Sequence, residues 1–193
     1  MANEWDEYAE NWEQDQATSI YAQHVFDCLS ELVDLKGKHV LDFGCGTGLL
    51  CQKLSPLAKD IVALDGSEAM IEQLDKKELD NVEPVVDMLS RGLVAQHPAF
   101  RGQFDVVVAS SVCGFLPNFS DTVDVIYSIL DDGGVFVHWD WLAEGEGDQV
   151  GFTEARVNQV LSSVGFSEVS ISVPFEIATN SGTKKVVMGV GRK

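Results

Sequence analysis

The chain has 193 residues, 45% of them hydrophobic and 9% aromatic, enough apolar material for one sizeable core. It carries 13 Lys and Arg against 31 Asp and Glu, a formal charge of −18, and four of the basic residues (Lys184, Lys185, Arg192, Lys193) fall in the last ten positions. The apolar content excludes a wholly disordered chain, and the charge balance argues against nucleic acid or an anionic membrane as partner, because the molecular field repels phosphate.

The opening residues to Asp15 hold six acids and no base, unlike a secretory signal. No run reaches the roughly 18 apolar residues of a spanning helix. Cys28, Cys45, Cys51 and Cys113 form no C-x-x-C pair and no zinc spacing, so reduced thiols, no metal and a cytoplasmic location are expected.

Trp5, Tyr8 and Trp12 recur on one helical face, either docking as core or closing over a cleft. Residues 18–34 have helical spacing, with Tyr21, Val25, Leu29 and Leu32 on one stripe. A short strand is predicted over 38–43, a helix over 47–58, a strand over 60–65, and a helix over 67–76 with Ser67 as its cap. A strand at 82–86 and a mixed stretch precede the clearest strand, 104–109. A helix at 120–130 capped by Ser120, a strand at 133–141, a helix at 153–164 and strands near 166–173 and 184–190 complete the order. Alternating strands and helices imply parallel strands with crossover helices, and the uniformly apolar strands imply cover on both faces. The last two strands lack an intervening helix and should pair antiparallel. The expected fold is a Rossmann-like, doubly wound α/β sheet with ligands at the carboxyl ends of its strands.

The first strand runs into Asp42-Phe43-Gly44-Cys45-Gly46-Thr47-Gly48. This is Gly-x-Gly-x-Gly, not the Gly-x-Gly-x-x-Gly of dinucleotide binders, and Leu49 stands where their third glycine would fall. No Gly-Lys-Ser/Thr follows, so a phosphate loop is also excluded. Asp42 would repel a pyrophosphate but favours a cationic amino group. The second strand ends in Asp65, 19 residues after Gly46, where a carboxylate can accept from vicinal ribose hydroxyls. Asp87-Met88 follows the third strand at the position for an adenine edge.

The series VLDFGCGTG, ALDGSEAMIEQL, VVDM, FDVVVASSVCGFLPN and LDDGGVFV resembles the class I S-adenosylmethionine-dependent methyltransferases of the small-molecule, quinone-biosynthesis-like type. The resemblance covers residues 38–140 and implies S-adenosyl-L-methionine as cofactor and a small-molecule acceptor. It implies one domain over 1–193: a helical lid or cap at 1–34, a cofactor-binding core at 38–140, and a helix and strand pair at 153–193. It places Asp42 near the methionine amino group and Gly44, Cys45 and Gly46 beside the methionine moiety. Asp65 would lie on the ribose, Gly66 and Met70 beside ribose and adenine, Asp87 and Met88 at the adenine edge, and Ser110 or Ser111 at the methionine end.

Simpler roles compete: Asp42 as a turn cap, Asp65 as a helix-initiating acid, Met70 as core. His138, Asp140 and His24 are the candidate bases, though a satisfied histidine is the simpler reading, and the sequence assigns no catalytic residue. SSVCGFLPN lacks the Asn/Asp-Pro-Pro-aromatic motif of the family's base-amino methylators. With only residues 142–152 between the fifth strand and the next helix, the acceptor is expected under the N-terminal segment and the 87–103 stretch. The alternatives are a binding protein without transfer activity, which shares every motif, and a nicotinamide oxidoreductase, which Leu49 opposes.

Overall fold

The computed structural model describes residues 5–143, 150–179 and 182–193. A 3₁₀ turn, Ala9–Gln14, leads into α1 (Gln16–Leu32), β1 (His39–Phe43), α2 (Leu49–Leu54), β2 (Asp60–Asp65), α3 (Glu68–Asp75) and β3 (Val82–Val86). Then follow α4 (Arg91–Gln96), β4 (Phe104–Ser110), α5 (Phe119–Ile129), β5 (Leu130–Trp141), α6 (Glu154–Val164), β6 (Glu168–Thr179) and β7 (Gly182–Arg192). The seven strands form one sheet in the order β3-β2-β1-β4-β5-β7-β6. The first five run parallel, and β7 pairs antiparallel with both β5 and β6. The order reverses between β1 and β4, which opens a crevice at the carboxyl ends of these two strands.

Period-two alternation sends successive strand residues to opposite faces. Val40, Ile61, Val106 and Val137 pack with Val25 and Leu29 of α1 and Leu50 and Leu54 of α2. Leu41, Val62, Val107 and Phe136 pack with Val123 and Ile126 of α5 and Val157 and Leu161 of α6. These strand residues are almost fully buried, so both faces are covered, as the apolar strand runs imply.

Two expectations are corrected by the structure. The α5 cap is Asn118, which accepts from Asp121 N–H, not Ser120. Strand β6 continues past residue 173 to Thr179, with a register shift between Ser172 and Phe175 around Pro174. Helix α1 buries Tyr21, Ala22, Val25 and Leu29 against the sheet, and Ala17, Thr18, Tyr21 and Ala22 of its first half also line the crevice. Residues 5–15 form a strap with Trp5, Trp12 and Asp15 on the crevice, and residues 144–149 of the β5–α6 connection lie outside the described residues.

Candidate active site

A cleft of about 740 Å³ opens at the carboxyl ends of β1, β2 and β4. Its size suits a small-molecule site of about 300–1,000 Å³. All ten residues read from the sequence (Asp42, Gly44, Cys45, Gly46, Asp65, Gly66, Met70, Asp87, Met88 and Ser110) line this one cleft.

Asp42 lies in the buried part of β1, one residue before its end, and is 1% exposed. Its Oδ2 accepts from the Cys51 thiol at 3.1 Å, whereas Oδ1 is buried without a partner. Burial raises its pKa to about 7, the Cys51 thiol opposing and the Asp65 charge adding to the shift. The loop that follows turns through positive φ at Gly44, Gly46 and Gly48. At Gly46 a side chain would meet nothing within 4 Å, so the loop presents bare backbone to open space. Asp65 holds this loop: Oδ2 accepts from Gly46 N–H and Oδ1 from Ser67 N–H, both at 2.9 Å. Its pKa is raised by burial, and the N–H groups of Ser67, Gly46 and Gly66 pull it back. Asp65 therefore does initiate the α3 turn, while remaining on the cleft wall. Ser67 caps α3 by accepting from Met70 N–H, as its position implies. Met70 is 2% exposed and serves both as core and as cleft wall. Asp87 Oδ1 accepts from Met88 N–H at 2.7 Å, so that N–H already has a partner in its own turn.

Beyond the end of β4 the cleft widens into an aromatic chamber with Trp5, Trp12, Tyr21, Phe115 and Trp141 on its walls. Trp5 is the hub of the strap, with Tyr8, Trp12 and Phe115 at ring distances of 6.2, 5.8 and 5.1 Å. Two of its acids pin the strap to the domain. Asp6 accepts from the Ser67 hydroxyl, and Glu13 accepts from Thr47 at 2.7 Å and pairs with Lys77. Of the 87–103 stretch, only Asp87 and Met88 reach the cleft; Ile177, Ala178 and Thr179 of β6 line it instead. The Ile177 position carries no local signal, because Pro174 interrupts β6 before it and the strand is mostly exposed on its edge.

None of the three candidate bases lines the cleft. His24 stacks on Phe175 at 4.9 Å. His138 and Asp140 are buried and bonded to each other at 2.8 Å, and Asp140 also accepts from Gly114 N–H. Cys113 joins this pair, with donor atoms all within 4.8 Å, an approach that the sequence spacing does not reveal. Trp141 reaches the chamber, while Trp139 is wholly buried in the core.

The fold and this cleft define a class, and comparison with known proteins agrees. A family model described as "Methyltransferase domain" matches residues 11–164. The chain belongs to this methyltransferase-domain family. It is similar to the ubiquinone biosynthesis O-methyltransferase of Psychrobacter cryohalolentis, 28% identical over 128 residues, 66% of this chain and 49% of that protein. The namesake enzyme of Pseudomonas entomophila is 32% identical over 108 residues, 55% of this chain and 45% of the relative. The chain thus spans about half the length of the curated relatives it matches. Among solved structures, the DhpI-SAM-HEP complex aligns with a TM-score of 0.74 at 20% identity, covering 96% of this chain and 94% of the other. Magnesium protoporphyrin IX methyltransferase from Synechocystis PCC 6803 with bound SAM aligns at 0.67 and 19% identity, covering 91% and 80%. These structural likenesses carry the fold: a class I, Rossmann-like methyltransferase architecture.

Proposed function

We propose that this chain transfers a methyl group from S-adenosyl-L-methionine to a small-molecule acceptor. The observation that carries the reading is the buried, unpartnered Oδ1 of Asp42 on the wall of a cleft that also gathers nine other predicted binding residues. A buried carboxylate oxygen without a partner is costly unless a ligand completes it. A cationic amino group suits it by charge. The open backbone at Gly46 admits a close ligand approach, and the carboxylate of Asp65 has lone pairs left for ribose hydroxyls. The relatives named for ubiquinone biosynthesis are, by that name, O-methyltransferases, and among the described residues no Lys or Arg lines the cleft, which argues against nucleic acid as the acceptor.

The cofactor supplies an activated methyl on a sulfonium. The chain positions the acceptor, excludes water beneath the strap and holds the loop. Asp42 and Asp65 would hold the donor at its amino and ribose ends, and its methyl would pass to the acceptor with S-adenosyl-L-homocysteine as the other product. Positioning can supply much of the acceleration in such an in-line displacement. The chamber beyond β4 provides acceptor space, which favours transfer over cofactor binding alone.

Calorimetric titration tests the reading. Micromolar binding of both S-adenosyl-L-methionine and S-adenosyl-L-homocysteine, with none of NAD, is the expected result. Failure of both adenosyl compounds to bind would overturn it.

A further inference from the structure

A thiol stands behind Asp42. Residue 42 shares a face of β1 with Val40, the face that packs on α1 and α2. Cys51 of α2 is wholly buried in the core on this face. Its thiol donates to Asp42 Oδ2 at 3.1 Å, and Asp42 Oδ1 is left on the cleft wall without a partner. Packing alone does not call for a thiol at position 51, since Leu50 and Leu54 beside it in α2 are also buried. Cysteine combines a small apolar body with a hydrogen-bond donor.

That donor acts on both position and charge. The torsion that turns a carboxylate about its own axis is soft, so an undirected carboxylate is not held in one orientation. The thiol fixes Oδ2, and Oδ1 is thereby the oxygen kept for a ligand. A hydrogen bond to an ionised carboxylate also favours that form, and Cys51 opposes the burial that raises Asp42. Around the pair, Asp65 at the end of β2 adds to the rise. Burial first, and then Asp42 and Asp65, hold the Cys45 thiol of the glycine loop well above the usual thiol range. Burial first, and then Asp42, does the same to Cys51, with Lys77 beyond α3 pulling the other way. The register partners of Asp42, Ala63 of β2 and Val108 of β4, carry no charge. Cys51 therefore stays a protonated donor at neutral pH while Asp42 titrates beside it.

Resting on the cofactor reading above, we propose that Cys51 is a positioning residue for cofactor binding: its thiol holds Asp42 Oδ2 so that Oδ1 and the negative charge are presented to the amino group of S-adenosyl-L-methionine. Asp42 touches the cofactor; Cys51 acts through Asp42.

The test titrates the full chain by calorimetry with S-adenosyl-L-methionine at several pH values between 6 and 7.5. The control ligand is methylthioadenosine, which keeps the adenosine and the sulfur but has no amino group of methionine. The parent should gain affinity for S-adenosyl-L-methionine as Asp42 ionises and begin to level above pH 7. Cys51→Ala should bind it about three- to tenfold more weakly at pH 7, the effect of raising the Asp42 pKa by about one unit, and its affinity should still rise steeply at pH 7.5. Cys51→Ser keeps a donor and should stay within about twofold of the parent. Cys51→Val fills the space without a donor and should match Cys51→Ala, so either one decides if thermal melts show the other unfolded. Methylthioadenosine should bind the parent and the folded variants alike at pH 7. The proposal is overturned if a folded Cys51→Ala or Cys51→Val keeps the affinity and pH profile of the parent, or if Cys51→Ser is as weak as Cys51→Ala. It is equally overturned if methylthioadenosine is weakened as much as S-adenosyl-L-methionine, since Cys51 would then serve the loop as a whole. A parent that binds no adenosyl compound overturns the cofactor reading and this proposal with it, so the two failures are distinguishable.

Discussion

At the scale of single residues, Asp42 and Asp65 show how two carboxylates on adjacent strands come to differ. Asp65 is met by backbone N–H groups at both oxygens; Asp42 has one weak thiol donor and one empty oxygen. Burial therefore dominates at Asp42 and holds its pKa at about 7. The unfolded value is near 4, so between about pH 4 and 7 the folded chain binds one proton more than the unfolded chain. Stability consequently falls as pH rises through that window, and the loss is complete above 7. Asp42→Asn removes the charge, and the ligand-free variant should melt at least about 3 °C above the parent at pH 8. Ligand binding should run the other way. A cationic amino group requires the ionised form, so S-adenosyl-L-methionine should bind roughly five- to tenfold more tightly at pH 7.5 than at pH 6. Asp42→Asn should bind weakly and without this pH dependence; calorimetry at the two pH values measures both effects. Asp65→Ala should weaken S-adenosyl-L-methionine by at least about tenfold, since charge-assisted bonds are worth about 1.5–3 kcal/mol each. An unchanged dissociation constant would show that Asp65 serves the loop alone.

At the scale of elements, what could be read from the chain was what local pattern encodes. The runs VVVA and DIVALD are strands because uninterrupted apolar residues of that length suit a doubly covered sheet, and Ser67 caps α3 because the helix needs its first N–H groups satisfied. The α5 cap was misplaced because Asn118 and Ser120 are both good caps, and Asn118 is the one whose side chain meets Asp121 N–H. The β6 wall was missed because Pro174 breaks its pattern and edge exposure dilutes its alternation. The strap latches Asp6–Ser67 and Glu13–Thr47 join residues 61 and 34 positions apart, which no local pattern reports. The glycine loop was legible as a ligand loop, yet Gly48 has a further, structural reason. It sits at φ +81°, and a side chain there would come within 2.3 Å of Leu74 Cδ1 on α3. Left-handed strain and the displaced leucine together predict that Gly48→Ala destabilises by about 2–3 kcal/mol. Urea unfolding would show this as a lower midpoint at unchanged slope, and an unaltered midpoint would mean that α3 moves aside freely.

At the scale of the molecule, the sheet and the strap differ in how they are held. The strands around the cleft are paired on both sides and buried on both faces. The strap has one buried residue, Ala9, and is tied down mainly by the Trp5 ring cluster and the latches of Asp6 and Glu13. Glu13 is 40% exposed, so its pairing with Lys77 is partly screened and adds little by itself. Segments with few buried contacts open locally at a small fraction of the global cost. The strap should therefore open far more often than the sheet, giving ligands their route in. A ligand in the cleft adds contacts to Trp5 and Trp12 that exist only in the closed arrangement, and it shifts that equilibrium by its differential affinity. Amide exchange should then show residues 5–15 exchanging early in the free protein and slowing by at least about tenfold with S-adenosyl-L-homocysteine, while Val106–Val108 of β4 stay protected throughout. Equal protection of the strap with and without ligand would mean that it is a fixed wall, and entry would then have to run past Met88, which is 45% exposed at the other end of the cleft.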